Sequence, residues 1–569
     1  MLKFALLLSA VIVTAELNQE DRSPTRIRSL IVDLGSDMFV VRERAEAQLL
    51  RIGIDAFAEL KQATLSDDVE VSMRSKRILS RFEMIYRGKE NESVRILVDE
   101  YAKESNVASK TQYLWILADP SECPNGEGLR TLCRVARFDL EHALRAEAVK
   151  CLIASPPPTP TKRKDWFQTL RTVFAEPGDD ELLRLVGDYA ALSIDIDILR
   201  EGAEKKADAH EKETGTPIEY PVPFTVPEEL RNRVLAFTDR LAAFQSKPEN
   251  NTVQPGHLFD ILLFHAMAEL QDAVGLTAER DRTLEAALAI RTEKMRSDNP
   301  LFPVDPLDET SFSEHHYAAA HLEMRSRFLW AERHLQLVIA EAPIVRKVEA
   351  HRLLWFSMQM RAQYREAIEL HERCIEWLKS VEYTTKRNDS NSKIKEYQAA
   401  RDFCLAKIEA EAGNWTEAKE LIDRSLQNDP IDCDAVILRY EVCKHLPDLD
   451  ENERQRTKRY IDEVLNHTER KFQRREINMS VATMCNQMAW LLANTDGDFP
   501  TALALIRITI KAEPEVPTYL DTMAHVYALG KDYPKAVEVQ KEAVRLAPEA
   551  TSLRLALEHF RKQAKTGEK

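Results

Sequence analysis

The chain has 569 residues, of which 44% are hydrophobic and 30% are charged, so it is long enough to form several domains with large cores. Its formal net charge of −15 argues against general nucleic-acid binding, because an acidic surface repels phosphate backbones. Only 15 glycines occur, which favours helices joined by short turns over sheets and phosphate-binding loops.

Residues 1–15 have the pattern of a short secretory signal peptide. One lysine precedes an apolar run, Val13-Thr14-Ala15 offers small residues for cleavage, and polar sequence begins at Glu16. The run is too short to span a bilayer, and we identify no later segment that could do so. The prediction is a protein exported by a bacterial cell to the periplasm, the envelope or the medium. A buried first helix is the alternative interpretation.

Eight cysteines are present, and none belongs to a CxxC motif. Most of them lie in apolar helical patterns, where cysteine behaves as a small core residue. We therefore predict thiols buried in the core. A disulfide such as Cys123–Cys133 is the alternative for an exported protein.

Residues 25–200 are predicted to be helical, and they carry a repeated motif. The segment SDMFVVRERAEAQLL at residues 36–50 is echoed at residues 66–79, and more loosely at 138–153 and 178–192. Each copy has an aspartate near a helix start, where it can cap free N–H groups, and an arginine five or six residues later. This arginine can reach acidic groups of the adjacent copy. The region resembles HEAT-type repeats, which are stacks of helix pairs.

Prolines interrupt the helical pattern twice. The run SPPPTPTKR at residues 155–163 cannot continue a helix. Residues 201–227 begin with charged sequence and end with closely spaced prolines, which predicts an extended linker. Residues 228–311 are again predicted to be helical, with one degenerate repeat unit. A long repeat region at residues 312–550 follows, and then a C-terminal helix and tail at residues 551–569.

The C-terminal half contains a repeated spacing in which two alanines and a proline are each separated by twelve residues. It occurs at Ala524, Ala536 and Pro548, at two earlier places, and once with an extra residue. A small residue inside each helix of an antiparallel pair lets the two backbones approach closely, and the proline ends the second helix. The predicted packing positions are Ala319, Ala331, Ala406, Ala418, Ala489, Ala502, Ala524 and Ala536.

This pattern resembles the tetratricopeptide repeat (TPR) family. Gly413 and Gly530 are predicted to lie in turns, where a left-handed backbone is easily adopted by glycine, and Trp415 and Tyr533 follow them. The resemblance implies an all-α fold, an α-solenoid of stacked helical hairpins that is HEAT-like first and TPR-like afterwards. It also implies that a protein segment, either a peptide or a partner helix, binds in the concave groove.

Groove positions follow from the resemblance, because residues three before and one after the small position of each first helix point inward in the family. On this sequence the rule gives His316, Arg352, Phe356, Asn486, Trp490, Asp521 and His525. The Lys/Asn pattern with which some family members bind a C-terminal carboxylate is not recognisable. We leave open whether residues 217–227 occupy the groove themselves.

We find no motif for a nucleotide, a zinc protease or a serine hydrolase. In the histidine cluster of His315, His316 and His321, the last two are five residues apart, which is poor spacing for metal ligands on one helix. We therefore predict no metal, no cofactor and a non-catalytic scaffold for protein–protein interaction. The alternatives are a structural or assembly component of the cell envelope and, more remotely, an enzyme acting on envelope material. The partner and the oligomeric state are left open.

Overall fold

The computed structural model describes most of the chain after the N-terminal segment. The described residues are 23–52, 56–84, 92–119, 123, 128–139, 141–175, 180–247, 250, 258–290, 313–380, 383–384, 389–446, 448–474 and 481–567. The predicted signal peptide lies outside them. Among the described helices we find none with the length and apolar character that a bilayer crossing requires.

Within these ranges there are 26 α-helices and no strand, so the all-α prediction is confirmed. The first eleven are α1 (Pro24–Asp33), α2 (Phe39–Ile52), α3 (Phe57–Ala63), α4 (Val69–Met84), α5 (Glu92–Lys103), α6 (Val107–Ala118), α7 (Leu129–Phe138), α8 (His142–Ala154), α9 (Pro160–Val173), α10 (Glu181–Thr214) and α11 (Glu228–Ser246). The next eight are α12 (Leu258–Ala273), α13 (Thr277–Ala289), α14 (Ser313–Met324), α15 (Phe328–Glu341), α16 (Ile344–Met360), α17 (Tyr364–Lys379), α18 (Ser390–Glu411) and α19 (Trp415–Asn428). The last seven are α20 (Cys433–Lys444), α21 (Glu451–Arg474), α22 (Val481–Ala493), α23 (Phe499–Ala512), α24 (Pro517–Leu529), α25 (Tyr533–Leu546) and α26 (Thr551–Gly567).

The chain divides into two compact units. The first comprises Met1–Pro156, Thr169–Ala190 and Asp239–Val253, and the second comprises Pro157–Gln168, Ala191–Thr238 and Gln254–Lys569. Helices α9, α10 and α11 contribute residues to both. The eight cysteines are free thiols and six of them are buried, Cys433 and Cys443 being the two that are partly exposed.

The first unit consists of short helices that pack against their neighbours in sequence, such as α1 with α2, α3 with α4 and α7 with α8. The core between α1 and α4 is an apolar cluster that includes Leu30, Leu49, Leu60 and Ile78, all almost completely buried. Each of these helices is too short to be stable in water alone, so burial of this shared apolar surface stabilises them.

In the second copy of the N-terminal motif, the aspartate caps its own helix and the arginine joins two helices. Asp68 Oδ1 accepts a hydrogen bond from the backbone N–H of Glu70 at 2.9 Å, which caps α4. Arg74 on the same helix donates to the carboxylates of Glu46 and Glu43 on α2, each at 2.9 Å. The Arg74 side chain is almost completely buried, so removing its partners would leave a costly unpaired charge.

The described part of the second unit contains seven successive helix pairs: α12–α13, α14–α15, α16–α17, α18–α19, α20–α21, α22–α23 and α24–α25, followed by α26. The helices of each pair pack against each other, and each pair packs against the next, which confirms the prediction of stacked helical hairpins. The eight alanines of the repeated spacing are all completely buried. At these positions the absence of a larger side chain allows neighbouring helices to approach closely.

Turns inside the pairs use left-handed backbone, but not always at the glycine that the sequence suggests. Gly413 has a φ of 81°, as predicted. In the last pair the left-handed residue is Lys531, with a φ of 61°, while Gly530 has a φ of −76°. Gly530 is needed for a different reason, because a Cβ there would lie 2.6 Å from the ring of Phe499. Tyr533 follows Gly530 by three residues, whereas Trp415 follows Gly413 by two, because the left-handed turn residue of the last pair is Lys531.

The extended linker predicted for residues 201–227 begins later than expected, because residues 201–214 form the end of α10. Their alanines, glutamates and lysines are strong helix formers. The helix is also held by ion pairs, since Glu211 contacts Lys541 of α25 and Arg561 of α26. Residues 215–227 are not helical, and Tyr220 among them packs against an apolar cluster formed by the last helices.

The last helices of the second unit contact helices near the beginning of its stack. Phe328 at the start of α15 and Met360 at the end of α16 are buried in one cluster with Leu520, Val544 and Leu553. Residues of the last pair and α26 thus complete the core of the second and third pairs. The last helices of the stack therefore contact helix pairs near its beginning.

Polar contacts surround this closing cluster. Glu549 accepts a hydrogen bond from the backbone N–H of Leu329 at 3.0 Å and lies 3.9 Å from Arg327. The Ser552 hydroxyl donates to the backbone oxygen of Met360 at 3.0 Å. These hydrogen bonds fix the register in which the two ends of the stack meet, which apolar packing alone would not specify.

We expect Phe328→Ala to destabilise the C-terminal helices although Phe328 is about 200 residues away from them in sequence. Loss of a buried phenylalanine costs about 3–5 kcal/mol, and here part of the lost packing belongs to α24, α25 and α26. Hydrogen exchange of residues 517–567 should accelerate. The matched control is Leu329→Ala, which removes an exposed neighbour and should leave that exchange unchanged. Equal exchange in both variants would contradict the closing contact.

Candidate binding surface on the inner face

We use the name inner face for the side chains on the first helices of successive pairs, α14, α16, α18, α20, α22 and α24. Side chains of α20, α22 and α24 contact one another from pair to pair. The Trp490 indole Nε1 of α22 donates a hydrogen bond to Asp434 Oδ1 of α20 at 2.8 Å. The Trp490 ring lies 4.7 Å, centroid to centroid, from His525 of α24, which lies 5.0 Å from Phe560 of α26.

Asp521 joins this group from one turn before His525. Its Oδ1 accepts a hydrogen bond from Gln540 Nε2 at 2.7 Å and lies 3.9 Å from His525 Nε2. We call Asp434, Trp490, Asp521 and His525 the inner-face cluster. All four side chains are half-buried, so each has both a fixed environment and access to solvent.

Burial changes the protonation of the inner-face cluster. It raises the pKa of Asp521 to about 7, against the opposing hydrogen bond from Gln540 and with a further rise from Asp434. Burial also raises the pKa of Asp434, although the Trp490 hydrogen bond and the Lys407 ammonium oppose it. The pKa of His525 is lowered by burial to about 3. Near neutral pH the imidazole is therefore uncharged and the Asp521 carboxyl is only partly ionised.

A third carboxyl lies next to the cluster. Asp432 caps α20 by accepting a hydrogen bond from the backbone N–H of Ala435 at 3.1 Å. Burial raises the pKa of Asp432 to about 7, and the nearby Asp434 carboxyl adds to this rise. The inner face is consequently acidic around α20 and α24.

The predicted groove residues fall into two groups. Trp490, Asp521 and His525 lie together, and Asn486 is one helical turn before Trp490. His316, Arg352 and Phe356 lie on α14 and α16, where His316 is half-buried and the other two are exposed. Burial lowers the pKa of His316, and the charge of Arg352 lowers it further, whereas the charge of Glu349 raises it. His316 and Arg352 are therefore close enough to interact electrostatically. The Phe356 ring lies 6.2 Å from Phe328 of the closing cluster.

Sequence reasoning misses two residues of the inner face. Lys407 follows Ala406 directly, so the same rule that gives Trp490 after Ala489 would have found it. Asp434 has no such signal, because its pair α20–α21 lacks the alanine spacing. Only its contact with Trp490 identifies it.

His315 of the histidine cluster belongs to a chain of three buried imidazoles with His334 and His265. His315 Nε2 lies 2.9 Å from the backbone oxygen of Ile290, and its Nδ1 lies 2.8 Å from His334 Nδ1. His334 Nε2 in turn lies 2.8 Å from His265 Nε2, and all three imidazoles are almost completely buried. In the described parts of the chain, no group of three or more His, Cys, Asp or Glu residues is placed to hold a metal ion.

The carbonyl oxygen of Ile290 fixes the tautomers of this histidine chain. Because a carbonyl only accepts, His315 donates from Nε2 and accepts at Nδ1. His334 then donates from Nδ1 and accepts at Nε2, so His265 donates from Nε2. A further proton on His315 or His334 would place two N–H groups face to face. Burial accordingly lowers the pKa of His265 to about 3 and that of His334 well below its ordinary value, with Arg325 and Arg333 nearby.

We expect the buried His265 and His334 to reduce the stability of the second unit when the pH is lowered from 7.5 to 5.5, against the opposite contribution of Asp432 and Asp521. The folded imidazoles stay neutral, whereas the unfolded ones take up protons below about pH 6.5, so stability is present above that pH and lost below it. Each histidine contributes about 1.4 kcal/mol per pH unit. His334→Asn should reduce this pH dependence of the free energy of unfolding, measured with urea. His445→Asn, at an exposed position, is the control. An unchanged pH dependence in His334→Asn would disprove the assignment.

No model of a known protein family matches the sequence, and no curated protein matches it either. Among solved structures, the TPR domain of P58(IPK) is 10% identical, with 81% of this chain and 99% of that chain covered and a TM-score of 0.19. Yeast Tom70 is 13% identical, with 81% and 97% covered and a TM-score of 0.23. Human IFIT1, solved as a dimer with PPP-AAAA, is 14% identical, with 94% and 97% covered and a TM-score of 0.20. These scores are too low to support conclusions, so the fold assignment rests on the helix pairs themselves.

Proposed function

We propose that the protein is a non-catalytic scaffold that holds a segment of another protein against the inner face of its second unit. The observation that carries the proposal is the continuous contact of Asp434, Trp490 and His525 across three successive helix pairs and on to Phe560. A half-buried tryptophan between polar groups is a typical centre of a protein-binding surface. An extended peptide or a partner helix would lie across the first helices.

A photo-crosslinking residue at Gln487 tests this proposal. Gln487 is exposed on α22, next to Asn486, and its backbone oxygen lies 4.0 Å from Cys433 Sγ of α20. We expect it to capture a defined protein, which is then identified and purified. The same crosslinker at Ile508, exposed on the second helix α23, is the control and should not capture that protein.

Trp490→Ala should then weaken binding of the purified partner by about 2 kcal/mol or more, at least tenfold, as expected for a central aromatic residue. Ile508→Ala should bind as the unaltered protein does. Circular dichroism verifies that both variants are folded. Equal affinity of the two variants, or capture of the partner only from position 508, would refute the inner face as the binding surface.

We further propose that the scaffold acts outside the cytoplasm, on the basis of the signal-like residues 1–15. The mature protein should begin at Glu16, as determined by N-terminal sequencing, and should be recovered from the periplasm or the medium. Deletion of residues 2–15 should retain the protein in the cytoplasm, because the apolar run that directs export is gone. An intact N-terminus beginning at Met1 on the exported protein would contradict cleavage.

A further inference from the structure

We infer that the inner-face cluster recognises a cationic side chain, a lysine or an arginine carried by the bound segment. The inference rests on the proposed function and specifies the chemistry of the guest at that site. It concerns the surface between α20, α22 and α24, where Asp434, Trp490, Asp521 and His525 meet.

The carboxylates of this surface are not neutralised by the chain itself. Asp434 and Asp521 receive hydrogen bonds from the neutral donors Trp490 and Gln540. In the described residues, no lysine or arginine lies within ion-pair distance of either carboxylate, and Lys407 acts on Asp434 only from further away. A cation that entered would therefore meet two carboxylates that have remaining acceptor capacity.

Two amide oxygens provide an independent indication. Asn486 Oδ1 and Gln540 Oε1 are both buried acceptors without a hydrogen-bond donor. The Gln540 side chain is completely buried, and its Nε2 already donates to Asp521 and to the backbone oxygen of Leu553. Gln540 Oε1 lies too deep for direct contact with a guest, whereas Asn486 Oδ1 belongs to a half-buried side chain one turn before Trp490 and favours a guest that donates. Ammonium and guanidinium groups have several donors and no acceptor, so they fit this need better than a neutral or an anionic side chain.

The aromatic groups fit a cation as well. The rings of Trp490 and His525 meet at an interplanar angle of 68°, and the buried ring of Phe560 packs behind His525. Aromatic faces attract cations and also pack against the aliphatic part of a lysine or arginine side chain. Because burial keeps the pKa of His525 at about 3, its ring is uncharged near neutral pH and does not repel the guest.

The charged groups that act on the inner-face cluster give it a negative balance. Asp432 and Asp434 come from α20, Asp521 from α24, Lys407 from α18 and His559 from α26. The three carboxyls outnumber the single ammonium, so their ionisation gives the surface a sign that favours cations. An approaching cation also stabilises the ionised form of Asp521, whose pKa of about 7 allows it to lose a proton on binding.

The experiment uses the full-length protein and a decapeptide of alternating alanine and lysine at an ionic strength of 0.15 M (about the physiological value). The comparison peptides carry acetyllysine or glutamate in place of lysine. We expect calorimetry to show binding of the lysine peptide, with affinity lower by about tenfold or more for acetyllysine and no binding of the glutamate peptide. Affinity for the lysine peptide should rise between pH 6 and pH 8, with proton release, as Asp521 ionises.

The double variant Asp434→Asn and Asp521→Asn keeps the shape and removes the charges, and it should lose about tenfold or more in affinity for the lysine peptide. The control Asp462→Asn removes an exposed charge on α21 and should leave the affinity unchanged. Equal binding of the lysine and acetyllysine peptides, no binding of any peptide, or an equal loss in both variants would overturn the inference. The partner crosslinked from Gln487 separates the two proposals. If it binds the double variant normally but binds Trp490→Ala weakly, the inner face is a protein-binding surface and the inference of a cationic guest is wrong.

Discussion

The contact between the two ends of the helix stack determines what the second unit can present. A row of helix pairs that touch only their neighbours can bend at every interface, because no contact spans more than one pair. The cluster of Phe328, Met360 and Leu553 joins residues that are far apart in the sequence, and the Ser552 hydrogen bond to Met360 fixes its register. The stack is therefore constrained at both ends. The first helices α20, α22 and α24 can then hold side chains from three pairs in contact.

Buried charged side chains are paired with opposite charges in the packing contacts between helices, whereas carboxyls of the inner face receive hydrogen bonds from neutral donors. Arg439 of α20 is completely buried, and it donates to Asp423 at 2.7 Å and to Glu453 at 2.6 Å, so it is fully paired. Asp434 lies in the first turn of the same helix. Among the described residues, its carboxyl receives a hydrogen bond only from the indole N–H of Trp490. Pairing stabilises a buried charge, whereas an unpaired carboxyl in a partly buried position costs stability. This unpaired carboxyl is the feature expected of a surface that completes its contacts with a guest.

Sequence periodicity predicts the hairpins because its signal is local. Ala524 and Ala536 lie in two helices of one pair, and the requirement for small residues there is independent of the rest of the chain. Trp490 and His525 follow from the same spacing. Asp434 does not, since its pair lacks the alanines, and the contact of Phe328 with Leu553 depends on the rotation accumulated over several pairs. Residues 201–214 have the composition of a linker, yet Glu211 pairs with Lys541 and Arg561, so tertiary contacts decide their conformation.

The buried histidines and the inner-face acids affect stability in opposite directions as the pH rises through neutrality. The chain of His315, His334 and His265 is compatible only with neutral imidazoles, so the joint between α12, α14 and α15 is strongest above about pH 6.5. Asp521, with a pKa of about 7, becomes fully negative only above neutrality. The histidine joint therefore supplies stability above about pH 6.5, where ionisation of Asp521 costs part of it and prepares the surface for a cation. Both properties follow from placing titratable groups where burial, and not an ion pair, sets their protonation.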